Sequence, residues 1–137
     1  MPRFVILHHD CPDDRPRPTH WDLLLEADGQ LLAWALEEPP DRSEEIVADR
    51  LPDHRLEYLD YEGPVSGGRG NVSRWDHGVY TVVEQRTDLL AVDLVGEKLH
   101  GRVTLVRDPL LGKPAVPPNA KPAVPPSRRW RLLRGTG

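Results

Sequence analysis

Apolar and polar positions alternate in short blocks along most of this 137-residue chain. Residues 3–9 open with a run containing Val5 and Ile6, and a period of two sorts Val5, Leu7 and His9 onto one face of a strand and Phe4, Ile6 and His8 onto the other. Residues 20–27 and 30–36 flank Asp28-Gly29, a two-residue hairpin signal that predicts an antiparallel pair. Both blocks are rich in Leu and could also be read as helix; the Asp-Gly turn decides for strands. Further on, residues 55–61 read as an edge strand, and 70–75, 78–84, 89–95 and 99–106 as short strands. Turn residues at 76–78, 87–88 and 96–97 separate them. A polar, acidic stretch predicts a short helix around residues 43–47, and four glycines within residues 63–70 predict a tight loop. Many short strands at roughly ten-residue spacing, with few short helices, predict a mostly β protein built as an antiparallel barrel or sandwich.

One segment breaks the pattern. Lys-Pro-Ala-Val-Pro-Pro occurs at 113–118 and again at 121–126, a composition that favours an extended polyproline-type linker over a packed element. The chain therefore divides into a β unit over residues 1–112, an inserted Pro/Ala-rich loop over 113–127, and a closing strand with a basic tail over 128–137. Hydrophobic content of 38% and charged content of 29% suit one globular domain. A net charge of −4 argues weakly against a protein that merely coats nucleic acid, yet from Lys113 onward there are six basic residues and no acidic one. That end can follow a phosphate backbone or simply be solvated. No apolar run approaches the roughly 20 residues that span a bilayer, and the first apolar stretch is too short for a signal peptide. A cytoplasmic location without membrane contact is the expectation. Cys11, the single cysteine, excludes an internal disulfide and reads as a bystander rather than a nucleophile.

The densest chemistry lies in residues 8–22, HHDCPDDRPRPTHWD. Pro12, Pro16 and Pro18 hold the middle of it open as a loop. His20 and Asp22, two apart at a strand start, share a face, and His9 can join them from the end of the first strand. Two imidazoles and a carboxylate suit Mn²⁺, Fe²⁺ or Zn²⁺, with Asp10, Asp13 and Asp14 available to orient the histidines. A hydrogen-bonded surface pair explains the same spacing. A second constellation pairs His54 with Tyr58, four apart along a strand. A third sets Arg69 and Arg74 beside the glycine loop, where guanidinium and backbone N–H groups can cradle phosphate. His20, Asp22 and His54 could also form a facial triad for Fe(II) oxygen chemistry, but the chain is small for such a barrel.

In order, the stretches at 4–10, 20–26, 28–29, 34–35, 53–58, 61–63, 75–78, 99–102, 105–107 and 130–133 resemble the 3′-phosphoesterase domain of bacterial DNA ligase D and its stand-alone relatives. The resemblance implies a compact antiparallel β-barrel with a crescent-shaped groove. It also implies a Mn²⁺-dependent enzyme (Zn²⁺ being another candidate) that removes a ribonucleoside or a phosphate from the 3′ ends of DNA or RNA-containing strands during repair. By the same resemblance the metal ligands fall on His9, His20 and Asp22, and the groups that contact or protonate the scissile phosphate on His54 and Tyr58. Ligase-linked members carry phosphate-binding arginines where this chain has Leu24 and Ile46; Arg50, Arg69 and Arg74 are the candidate replacements. No nucleotidyl-transfer lysine motif stands in the sequence, so an ATP-dependent DNA ligase or other repair protein would act as a separate partner. If no arginine compensates, the alternative is a metal-containing module that binds phosphate-bearing ends without cutting them.

Overall fold

The computed structural model describes residues 2–12, 18–65, 67–107 and 129–135. Its elements are β1 (Arg3–Asp10), β2 (His20–Ala27), β3 (Gln30–Leu36), β4 (Glu45–His54), a 3-10 turn η1 (Leu56–Leu59), β5 (Gly63–Pro64), β6 (Asn71–Arg86), β7 (Leu89–Gly96), β8 (His100–Arg107) and β9 (Arg129–Arg134). All pairings are antiparallel, in the order β1-β2-β3-β4-β9-β8-β7-β6, and β6 pairs back onto β1. Eight strands thus close into a barrel, which leaves no long free edge among the described residues. The two-residue β5 hangs on β6 outside it.

Alternation along each strand fills the barrel. Phe4, Ile6, Leu23, Leu25, Trp34, Leu36, Ile46, Tyr80, Val92, Leu94, Leu105 and Leu132 form the interior cluster, with Trp34 and Trp130 meeting edge to face at 5.9 Å. A second cluster lies on the outer wall of β1–β3, where Val5, Leu7, Leu24, Leu31 and Ala33 are covered by Leu59, Val65 and Val72. Strands covered on both sides need apolar residues at successive positions, which explains the Leu-rich runs in β2 and β3. Asp28 and Gly29 both have positive φ, 52° and 80°, the conformation of the hairpin turn expected there.

Three local expectations differ. The expected helix near 43–47 is the start of β4, because Ile46 and Ala48 point into the barrel with the two-residue period of a strand. The expected edge strand over 55–61 is η1, which buries Leu59 against the outer wall. The expected pair 70–75 and 78–84 is the single strand β6, bent by a bulge beside Ile6 and Leu7. Asp76 explains how the strand passes through a turn-like Asp-His-Gly. Its buried carboxylate accepts hydrogen bonds from the backbone N–H groups of His77, Glu97, Lys98 and Leu99, so Asp76 clamps the β7–β8 turn instead of starting one. No α-helix occurs among the described residues, and no helix there is long and apolar enough to cross a membrane. The repeat-bearing segment 113–127 lies outside the described residues; β9, which follows it, pairs with β4 and β8.

Candidate metal centre

Register builds the site. His9 stands opposite His20 and Leu7 opposite Asp22 in the β1–β2 ladder, so alternation sends His9, His20 and Asp22 to the outer wall with Leu7 and Leu24. They occupy the end of the apolar outer cluster, where β1 leaves the barrel and β2 enters it. His20 and Asp22 are buried, and the His9 and His20 rings lie 4.7 Å apart.

The polar contacts have an unusual sense. His9 Nε2 lies 2.8 Å from the Arg69 carbonyl, and His20 Nδ1 lies 2.9 Å from the Pro18 carbonyl. A carbonyl only accepts, so each ring carries its proton on that side. The opposite nitrogens, His9 Nδ1 and His20 Nε2, then point lone pairs at Asp22, at 3.3 Å from Oδ2 and 2.9 Å from Oδ1. Although the His20 contact is short, it is misaligned for a hydrogen bond, and Asp22 Oδ1 is buried with no hydrogen-bond partner. Two lone pairs and a carboxylate converging in a buried place repel one another unless a cation or added protons sit among them. That is the arrangement a divalent ion requires, with carbonyls fixing the tautomers from behind. The donor set fits a metal.

Burial pushes the Asp22 carboxyl upward, but the His20 and His9 imidazoles outweigh it and hold the group at about 2. The Asp22 carboxylate in turn raises His9 above the ordinary histidine value, against the opposing effect of burial.

A second combination of donors overlaps this one: His9, Cys11 and His20 offer ligand atoms all within 4.8 Å of one another. Cys11 Sγ approaches the other face of His20, 3.8 Å from Nδ1. The set containing Asp22 is the better fit for a hard ion, because it supplies an anionic oxygen and leaves the Pro18 hydrogen bond intact.

The remaining candidates are dispersed. Arg74 pairs across from Leu7, so it shares the outer face with Asp22; its Nη2 approaches the Leu59 carbonyl and Asp60, and its buried Nε has no hydrogen-bond partner. Arg69 supplies its carbonyl to His9. Arg50 stands opposite Trp34, stacks on that ring at 4.6 Å, and bonds the Ala33 and Leu51 carbonyls and Asp53. It is therefore on the barrel-interior face, away from the histidines. His54 ends β4 five residues beyond Asp49, which is in the Asp22 row, and Tyr58 sits on η1 rather than four along the same strand. Their rings meet at 5.7 Å, and His54 Nδ1 donates to the Pro52 carbonyl. Tyr58 lines a hollow of about 190 Å³ with Arg55, Glu57, Tyr61 and Pro64. A larger hollow of about 540 Å³ opens at the far end of β2 beside Tyr80 and Asp28, away from the triad.

Leu24 and Ile46 explain themselves. Leu24 is fully buried in the outer cluster and Ile46 in the barrel interior, so neither position points an end-group at solvent. The carbonyls of Pro18 and Arg69 were invisible to sequence reasoning, since any residue carries a carbonyl. Asp10 bonds Thr19 rather than a histidine, and Asp13 and Asp14 lie outside the described residues.

Comparison with known proteins matches most of the chain. Residues 8–107 match the model of the DNA ligase D 3′-phosphoesterase domain. The chain is 36% identical over 121 residues to the multifunctional non-homologous end joining protein LigD of Pseudomonas aeruginosa, covering 81% of this chain and 14% of that protein. It is 34% identical over 113 residues to the LigD DNA repair protein of Mycobacterium tuberculosis, covering 76% of this chain and 14% of that protein. It thus spans about one-seventh of the length of these relatives. With a closed antiparallel barrel, a His/His/Asp cluster at one rim and a family match over most of its length, the chain belongs to the DNA ligase D 3′-phosphoesterase domain family.

Proposed function

We propose that the protein is a divalent-metal-dependent phosphoesterase that trims nucleic-acid 3′ ends, removing a terminal phosphate or ribonucleoside during DNA end repair in the cytoplasm. The observation that carries this reading is the convergence of His9 Nδ1, His20 Nε2 and the buried Asp22 carboxylate, with both outer ring nitrogens tied to carbonyls. His9, His20 and Asp22 would hold the ion, Mn²⁺ in the first instance and Zn²⁺ as the other candidate. When bound, such an ion supplies Lewis acidity toward a phosphoryl oxygen and eases the ionisation of water.

The chain's own groups do the rest. The Pro18 and Arg69 carbonyls fix the tautomers of the two imidazoles and keep the rings aimed. Arg74, on the same face, offers its guanidinium to a phosphate oxygen by exchanging its present contacts with Leu59 and Asp60. Arg69 stands beside His9 for a second phosphate contact, whereas Arg50 steadies the β3–β4 wall from within. His54, its Nδ1 proton committed to Pro52, has Nε2 available to stabilise charge or to pass a proton to the leaving oxygen, with Tyr58 packed against its ring. DNA or RNA-containing 3′ ends are the substrate class, and an ATP-dependent DNA ligase would seal the ends so prepared.

The test is a gel assay on a primer–template bearing a 3′-phosphate or one 3′-ribonucleotide, with Mn²⁺ or chelator. Mn²⁺-dependent trimming that disappears in His20→Ala supports the enzyme. The apolar side chains at Leu24 and Ile46 favour one rival, a phosphate-end-binding module without turnover; tight binding of the 3′-phosphate strand with no product in any divalent ion would establish that rival instead.

A further inference from the structure

Cys11 is held beside the histidines by its neighbours. Its backbone N–H donates to Thr19 Oγ1 at 3.1 Å, and the Thr19 hydroxyl donates to Asp10 Oδ1 at 3.2 Å, so the two ends of the connecting loop are tied together. Its sulfur lies 3.8 Å from His20 Nδ1. A tetrahedral zinc ion with ordinary Zn–S and Zn–N bonds sets sulfur and nitrogen roughly 3.6 Å apart, close to that separation. His20 therefore shows one nitrogen to Asp22 and the other to a thiol, and His9 stands within reach of both.

We propose that His9, Cys11 and His20 form a second donor set for thiophilic divalent ions, Zn²⁺ or Cd²⁺ in class, that excludes the ion held through Asp22. It rests on the metal reading of the same two histidines, and adds what the thiol does there. The exclusion follows from proton placement. Coordination at His20 Nδ1 takes the lone pair of that nitrogen, so the ring proton now on Nδ1 moves to Nε2 and the Pro18 hydrogen bond breaks. The Cys11 thiol proton leaves to solvent as the S–metal bond forms. The Nε2 proton then faces Asp22, and the nitrogen that served the first set is no longer a ligand. Soft sulfur prefers the thiophilic ions, whereas the oxygen of Asp22 suits Mn²⁺, so the two sets select different metals with one shared pair of imidazoles.

The full chain, kept reduced, is titrated with Co²⁺ and Cd²⁺ while near-ultraviolet absorption is followed, for the wild type, Cys11→Ser and Asp22→Asn. The expected result is a sulfur-to-metal charge-transfer band in the wild type and in Asp22→Asn that is absent from Cys11→Ser. Competition against a chromophoric chelator should show Zn²⁺ binding weakened at least about ten-fold in Cys11→Ser with Mn²⁺ binding unchanged. A saturated wild type with no such band, or a band that survives Cys11→Ser, overturns the proposal. Loss of the band in folded Asp22→Asn also overturns it, because the thiol would then belong to the Asp22 set. Failure of Mn²⁺-dependent trimming with the band intact would remove the enzymatic reading and leave the thiophilic set standing.

Discussion

Asp22 concentrates the electrostatics of the site in one side chain. Its carboxyl is held at about 2, below the ordinary value of about 3.9, so its contribution to stability is complete above that ordinary value and is lost as pH falls through about 2. His9 runs the other way: its value is raised, so its contribution is complete below the ordinary histidine value of about 6.5 and is lost as pH rises through the raised value. The metal-free protein should therefore be most stable in mildly acid solution, between those two ranges. Thermal melts across pH would show this maximum in the wild type, and Asp22→Asn should flatten both flanks. Grouping His9, His20 and Asp22 needed only strand alternation and the His-X-Asp spacing, so their meeting was legible in the sequence. What fixes their tautomers was not, because backbone carbonyls leave no mark in a sequence. The approach of Cys11 to His20 was not legible either, because a two-residue spacing from His9 is ordinary.

At the scale of elements, the β2–β3 hairpin was readable because Asp28-Gly29 has few other uses between two apolar runs. The 43–61 region was not, because β4 is rich in charged residues and sets only Ile46 and Ala48 as apolar side chains toward the interior, with Arg50 following them on that face, and because Pro52 near its end looks like a stop. Pro52 sits in the irregular stretch where β4 slips register against Leu31 and Ala33, a place that tolerates a missing N–H. The outer cluster beneath η1 makes a specific prediction about the family arginine. Leu24→Arg places a guanidinium in a fully buried apolar position, and should destabilise the protein by about 3–5 kcal/mol rather than restore a phosphate contact; chemical denaturation measures it. Gly70 joins that covering segment to the site. Its φ is +96°, and a Cβ there would lie 2.0 Å from the Asp10 carbonyl oxygen. Gly70→Ala should cost about 1–3 kcal/mol and, by moving the adjacent Arg69 carbonyl away from His9, weaken Mn²⁺ binding as well. Calorimetric titration of the folded variant reads the second effect separately from the first.

For the whole molecule, closure through β1 and β6 places the first strand at the seam and the candidate metal donors at its end. The donors are thus carried by the rigid wall rather than by loops, with the outer cluster beneath η1 as their floor. Asp76 secures the neighbouring turn with four backbone hydrogen bonds, and Asp76→Ala should cost more than about 3 kcal/mol by stranding those donors. It should leave the ligand geometry unchanged in whatever fraction remains folded, so Mn²⁺ affinity per folded molecule is the check. Strand count and spacing narrowed the class to an antiparallel barrel or sandwich, and the family resemblance pointed to the barrel. Its two-sided wall could not be read from the sequence, because nothing local says which face a covering turn will choose. The most direct measurement is Mn²⁺ binding by electron paramagnetic resonance alongside turnover of a 3′-phosphate primer–template, in the wild type and in Asp22→Asn. The folded variant should lose Mn²⁺ binding and trimming together, each by at least about a hundred-fold. Trimming at the wild-type rate by Asp22→Asn, or by the wild type under chelator, would contradict that expectation.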